Sequence, residues 1–285
     1  MTDITITSLE TITAFGIDTG DYLFTLDELQ STSIEQTQES SEITGKGGRK
    51  LNSLKRNKAV KISGSNGLVS GGLLEMQTGS KFKTGKHKVM WTDYLTISEE
   101  GEGTKSLVAT TSGAAVGTTG NEIVDLYIRN SDGTLGKKLE QNADTASGKF
   151  TYDPTTKKLT FFGGTAQTGE TPAVEADVKA GTEIVVYYMR EVSANVLENE
   201  SDIYSQKCTL YIDALGEDKC AKTYHLQFFI PKADFSGEFT FEMGDNQTVH
   251  SFDAESLAGA CGTGGQLWTY TVFGVDQDGE PSDNG

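Results

Sequence analysis

Apolar and polar residues alternate one by one along most of the chain, in short runs bounded by glycine, aspartate, asparagine and serine. The runs CTLYID at 208–213, EFTFEM at 238–243 and QLWTYTVFGV at 266–275 each place every second side chain on one face. This period of two predicts strands with one buried face. The run EIVVYYM at 183–189 is continuously apolar, which predicts a strand covered on both faces.

Three turn sequences join such runs in pairs and predict β-hairpins. LGEDK leads from 208–213 into CAKTYHLQFFIP, NSDG joins NEIVDLYIR to TLGKKLEQ, and PTTK joins KFTYD to KLTFFGG. Proline, glycine, asparagine and aspartate favour tight turns, so each pair of runs is expected to lie antiparallel.

Few segments favour helix. VMWTDYLTI at 89–97 fits either a helix or a strand, and FDAESLAG at 252–259 predicts a short capped helix. We therefore predict a mainly β fold, a sandwich or barrel with one or two short helices. With neither an internal repeat nor a clear linker, residues 1–285 are expected to form a single composite β domain.

The segment GKGGRKLNSLKRNKAVKISGSNG at 45–67 departs from this pattern and has little periodicity before KAVKI. An irregular stretch of about twenty residues inside a compact domain is unusual and is often functional. We predict a long, extended basic loop here. It contains no acidic residue and seven basic ones: Lys46, Arg49, Lys50, Lys55, Arg56, Lys58 and Lys61.

The charge of the chain is unevenly distributed. The formal net charge is −17, yet residues 43–88 hold eleven basic residues and one acid, a net +10. The remaining thirteen basic and forty acidic residues amount to −27. A solvated loop, a nucleic-acid contact and a contact with the acidic surface of a second copy all fit the basic segment. We favour the second copy, because no aromatic residue is available to stack bases and the acidic remainder repels a polyanion.

Candidate chemistry is sparse. Three cysteines without a CxxC pair and three histidines do not make a zinc site, so free thiols are expected. Known nucleophile, metalloprotease and phosphate-loop motifs are missing, and we predict neither catalysis nor a cofactor or metal. The start of the chain predicts no signal peptide, and no apolar run is long enough to predict a membrane span. Residues 276–285 are expected to form a flexible acidic tail.

Three stretches together resemble the tube-forming major tail proteins of long-tailed bacteriophages and cover most of the chain. They are ITGKGGRKLNSLKRNKAVKISGSNGLVSGGLLEMQTGS followed by VMWTDYLTI, DLYIRNSDGTLGKKL with GKFTYDPTTKKLTF, and YIDALGEDKCAKTYHLQFFIPKADFSGEFTFEMGD. The likeness rests on overall pattern and order and not on a short diagnostic motif.

The resemblance implies a structural virion protein that closes into hexameric rings. Such rings stack into a tube whose acidic lumen passes genomic DNA without specific binding. A long loop or hairpin reaches neighbouring subunits in that family, and 45–67, with its seven basic residues, is the segment that fits. The partners would be other copies and other tail proteins, in the virion tail and, during assembly, the host cytoplasm. Alternatives are a capsid decoration or tail-terminator protein, or a carbohydrate-binding or adhesin module.

Overall fold

The computed structural model describes residues 3–102, 106–165, 168, 173–243, 248–259 and 264–274. Seventeen strands and one short helix lie in this part of the chain, which confirms the predicted mainly β fold. The chain divides into two compact units. Unit 1 comprises residues Met1–Phe82 and Leu197–Gly285, and unit 2 comprises Lys83–Val196.

Unit 1 is built on one nine-stranded sheet. Seven of its strands follow the order β2-β1-β13-β14-β16-β4-β3, while β15 pairs with β16 and β17 pairs with β14. Its strands are β1 (Ile4–Gly16), β2 (Tyr22–Leu26), β3 (Leu29–Thr44), β4 (Lys50–Asn66), β13 (Lys207–Asp218), β14 (Thr223–Phe235), β15 (Phe241–Met243), β16 (Thr248–Ser256) and β17 (Thr269–Phe273).

The core of unit 1 lies on one face of this sheet. Alternate residues of β1, β4, β13, β14 and β16 bury their side chains there, as the period of two requires. Its members include Ile12, Ile62, Leu210, Ile230 and Phe252, each at most 2% exposed.

Helix α1 (Gly71–Thr78) covers part of this core and contributes Leu73 and Met76 to it. The hydroxyl of Ser70 caps its first turn by accepting from the Leu73 N–H at 3.3 Å. Gly79 ends it in the left-handed conformation, with φ of 75° and an N–H donating to the Glu75 carbonyl. The sequence pattern did not predict this helix.

Unit 2 is built on an eight-stranded sheet with the order β5-β12-β8-β9-β10-β11-β7-β6. Its core includes Leu126, Phe150, Leu159, Ile184 and Tyr188, each at most 1% exposed. Its strands are β5 (Lys83–Thr96), β6 (Ser98–Glu100), β7 (Ser106–Thr110), β8 (Ile123–Arg129), β9 (Leu135–Gln141), β10 (Lys149–Asp153), β11 (Lys158–Phe161) and β12 (Glu183–Val196).

The three predicted hairpins are confirmed as β8–β9, β10–β11 and β13–β14. The predicted helix at 252–259 is wrong, because Phe252 and Ala254 lie on β16, paired with β4, and point into the core. Pairing with a neighbouring strand therefore outweighs the local helix signal. The segment VMWTDYLTI is also strand, paired with β12 up to Thr96.

The single composite domain stays a prediction. Among the described residues, the two units have separate hydrophobic cores. The predicted acidic tail at 276–285 lies outside the described residues.

Candidate inter-subunit interface

The basic segment 45–67 is mostly strand and not an irregular loop. Lys50–Asn66 form β4, which pairs antiparallel with β3 from Leu29↔Asn66 to Thr44↔Lys50. Only the residues between Thr44 and Lys50 form a turn, in which Gly47 and Gly48 adopt positive φ values of 80° and 77°. The expected loop was wrong in form, because the basic segment pairs with β3 from Lys50 to Asn66.

The outer part of this hairpin, residues 37–59, is hereafter called the arm. Within it, β4 pairs with β3 alone, whereas β16 joins β4 only from Val60 onward. None of its residues is buried. Eight residues of β3 at about 3.3 Å each give the arm a length of about 26 Å. A two-stranded ribbon exposed on both faces is marginally stable by itself, so the arm is suited to ordering against a partner.

A bulge interrupts the arm where Asn57 and Lys58 lie opposite the single residue Gln38. Asn57 has a φ of 52°, and its side-chain amide donates to Glu39 at 2.7 Å. Asparagine tolerates the left-handed region better than most residues, which explains its use here. The bulge changes the direction in which the flanking side chains point.

Six of the seven predicted contact residues lie on the arm, and two of them have acidic partners within it. Lys50 pairs with Glu42, and Arg56 pairs with Glu39 at 3.9 Å. These four side chains are more than half exposed, so their pairs contribute little to stability. Glu39 and Glu42 are the only acids of the arm sequence, and both are occupied.

The other four arm cations are Lys46, Arg49, Lys55 and Lys58. All are exposed, and none forms an ion pair with any of the described residues. The arm sequence offers these four cations no further acid. The sequence pattern identified these residues, but it did not separate them from the paired ones.

Lys61, the seventh predicted residue, lies beyond the arm in the main sheet. Its ammonium group is 3.0 Å from Asp253 on β16, and the hydrogen bond to this carboxylate raises the pKa of Lys61. The structure therefore separates Lys61 from the six arm residues.

Three apolar side chains on the arm were not predicted as contact residues. Ile43, Leu51 and Leu54 are 41%, 63% and 54% exposed. Isolated exposed apolar residues are ordinary, but three on one ribbon beside unpaired cations are typical of an interaction surface. In the sequence, these three residues stand as single apolar residues among polar ones, in and beside the segment predicted to be a loop.

Features of other kinds of site are few. The described residues contain no group of three histidine, cysteine, aspartate or glutamate side chains able to hold a metal ion. Cys208 is buried and Cys220 exposed, both as free thiols. No helix among the described residues has the length and apolar character needed to cross a membrane.

Comparison with known proteins agrees with the resemblance drawn from the sequence. A search of curated proteins found no match. The family model of the YomU/Tube protein family matches residues 4–266, nearly the whole chain. The chain belongs to the YomU/Tube protein family.

Proposed function

We propose that this protein is the structural subunit of a bacteriophage tail tube. Copies assemble into rings, hexameric as in the tail proteins it resembles, and the rings stack into a channel that conducts DNA. The family match over residues 4–266 is the observation that carries this proposal. The protein then acts in the virion tail, beside other tail proteins, after assembly in the host cytoplasm, and it performs no catalysis.

The arm supports the self-assembly part of the proposal. A contact between an arm on one copy and a different surface on the next is heterologous, and repetition of such a contact builds closed rings or open tubes. Lys46, Arg49, Lys55 and Lys58 supply the arm's unmatched positive charge. The remainder of the chain carries a large negative charge that can match it.

The net charge supports passage of DNA without binding. At −17 per copy, a ring concentrates negative charge around its opening. An acidic wall repels phosphate groups, so a duplex can move past it without forming contacts that must later break. We propose that no segment of this protein binds DNA specifically.

Negative-stain electron microscopy of the purified protein over a range of concentrations tests the proposal. We expect rings or hollow tubes for the natural sequence. In a matched variant, residues 38–58 are replaced by Asn-Gly, which joins Thr37 to Ala59 by a two-residue turn and keeps the register of the remaining hairpin. That variant should keep its β circular dichroism spectrum and melting cooperativity while losing assembly.

A strict monomer at every concentration and salt would contradict the tube assignment and favour a decoration protein or a binding module. Isolated rings that never stack would instead favour a tail-terminator protein. Tubes formed by the arm-shortened variant would contradict the role given to the arm alone.

A further inference from the structure

An open groove lies on the outer face of the unit 1 sheet, opposite its core. It has a volume of about 680 Å³, within the range of sites that accept several side chains or a small ligand. Aromatic rings on three adjacent strands form its floor: Phe15 on β1, Tyr211 on β13 and Phe229 on β14. The ring centroids of Phe15 and Tyr211 are 5.7 Å apart, and those of Tyr211 and Phe229 are 4.9 Å apart.

A polar row runs beside the aromatic row because the strands are in register. Asp213 lies opposite Thr11 on one side and Gln227 on the other. Its carboxylate accepts from the Gln227 amide at 2.9 Å and from the Thr11 hydroxyl at 3.3 Å. A carboxylate can accept about four hydrogen bonds, so Asp213 retains capacity for a cationic partner.

The turn after β1 contributes to the groove but carries two acids that do not line it. Gly16, Ile17 and Gly20 of the β1–β2 turn line it, and the same turn carries the exposed Asp18 and Asp21. Neither of these acids, nor Asp213, forms an ion pair with a described residue. The groove thus combines a half-buried aromatic floor with one acid, Asp213, that forms no ion pair with a described residue.

We propose that this groove receives the arm of a second copy of the chain, with the ammonium group of Lys55 near Asp213 and its aliphatic stem on the aromatic floor. Ser53, two residues away, lies on the same face of β4 as Lys55. The match is chemical: the arm carries exposed, unpaired cations, and the groove carries half-buried rings beside the unpaired Asp213. Lysine and arginine stems also pack on aromatic faces, which adds cation–π attraction. This inference rests on the proposed function, because it names the acceptor of the same arm.

The arm of the same copy does not fill its own groove. No arm residue lines the groove, and among the described residues the two strands of the arm pair only with each other. Both surfaces therefore remain free on one chain, which is the condition for a heterologous contact that propagates.

A charge exchange tests the contact. Asp213→Lys and Lys55→Asp should each raise the concentration needed for assembly about tenfold or more, whereas the double variant should recover most of the loss. Glu217→Lys, an exposed reversal on the same strand outside the groove, is the matched control and should change assembly little. Equal effects of Asp213→Lys and Glu217→Lys, or no recovery in the double variant, would overturn the proposal.

Cysteine pairing gives a second measurement that leaves the groove charges unchanged. In a Cys220→Ser, Cys261→Ser background, mixing Ser53→Cys protein with Thr209→Cys protein under mild oxidation should yield a cross-linked dimer, because Ser53 lies on the face of β4 that carries Lys55. Cys208 does not compete, because it is buried. Glu217→Cys is the control in place of Thr209→Cys and should not cross-link to the arm. Equal cross-linking at both positions would overturn the proposal.

The groove assignment and the proposed function can be told apart by experiment. If the arm-shortened variant loses assembly but neither Asp213→Lys nor the cysteine pair responds, the arm docks elsewhere and only the groove assignment falls. If the arm-shortened variant assembles normally, the role of the arm and the groove assignment both fall, whereas the tail-tube proposal stands. A carbohydrate site is the alternative reading of the groove. Two results together would favour it and overturn the groove assignment: no cross-link forms, and an oligosaccharide binds saturably, as read by tyrosine fluorescence, with loss of binding in Tyr211→Ala.

Discussion

The imidazole of His250 on β16 is 2.7 Å from the side-chain oxygen of Gln77 on α1, in the interior of unit 1. The Nδ1 atom of His250 accepts from the Ser70 N–H at 3.4 Å, so Nε2 carries the proton and donates to Gln77. The Gln77 amide in turn donates to the Ser251 carbonyl at 2.9 Å. Helix and sheet are thus joined by a neutral, fully buried histidine.

This arrangement predicts that unit 1 loses stability in mild acid. Burial lowers the pKa of His250 from 6.5 to about 4, so the unfolded chain binds a proton that the folded chain resists. The contribution of His250 to the free energy of unfolding is complete above pH 6.5 and is lost as the pH falls toward 4. At 1.36 kcal/mol per pKa unit, it amounts to about 3 kcal/mol.

Urea unfolding at pH values between 4.5 and 7 measures this effect. His250→Gln should flatten the pH dependence in this window, whereas replacing the exposed His225 by glutamine should leave it unchanged. An identical slope in the natural protein and His250→Gln would show that other groups cause the acid sensitivity.

Two glycines with the same backbone conformation should tolerate alanine very differently. At Gly79 (φ 75°) a Cβ would lie 2.0 Å from the Tyr204 carbonyl oxygen, while at Gly20 (φ 68°) it would meet nothing within 4 Å. Gly20→Ala should therefore lower the free energy of unfolding by only about 1–2 kcal/mol, the cost of the left-handed conformation. Gly79→Ala should cost clearly more, because the chain after α1 must also move. Denaturant titration of both variants provides the comparison, and equal losses would contradict it.

Salt should weaken assembly, because it screens the four unpaired cations of the arm. Exposed charges are screened over about 8 Å at physiological ionic strength. Lys55→Glu with Lys58→Glu should therefore reduce assembly strongly at low salt and change it less at high salt. Light scattering at several salt concentrations measures this.

The matched control reverses Lys219 and Lys222, which are exposed at the β13–β14 turn. If both double reversals reduce assembly alike, net charge and not the arm controls association.

Unit 2 should be removable from unit 1. Its first and last residues, Lys83 and Val196, are register partners at one end of the β5–β12 pair. Because partners in an antiparallel ladder lie about 5 Å apart, a short glycine-serine linker can join Phe82 to Leu197. We expect the shortened chain to keep a cooperative thermal transition, since the described core of unit 1 contains no unit 2 residue. Loss of that transition would instead support the single composite domain predicted from the sequence.

Local sequence patterns account for much of the fold. The hairpins β8–β9, β10–β11 and β13–β14 were predictable because alternation and turn chemistry act within a few residues. Helix α1 was missed because Gly71 and Gly72 open it and its apolar residues form no clear stripe. The helix wrongly predicted at 252–259 failed because contacts distant in sequence placed Phe252 in the core.

The sequence by itself determined the β class, the basic segment, its contrast with the acidic remainder and the family resemblance. The tertiary structure decided which charges are free. Pairing of β3 with β4 brings Glu42 to Lys50 and Glu39 to Arg56, and pairing of β16 with β4 brings Asp253 to Lys61. These partners lie on different strands, so their proximity depends on register between segments, which composition and local periodicity do not encode.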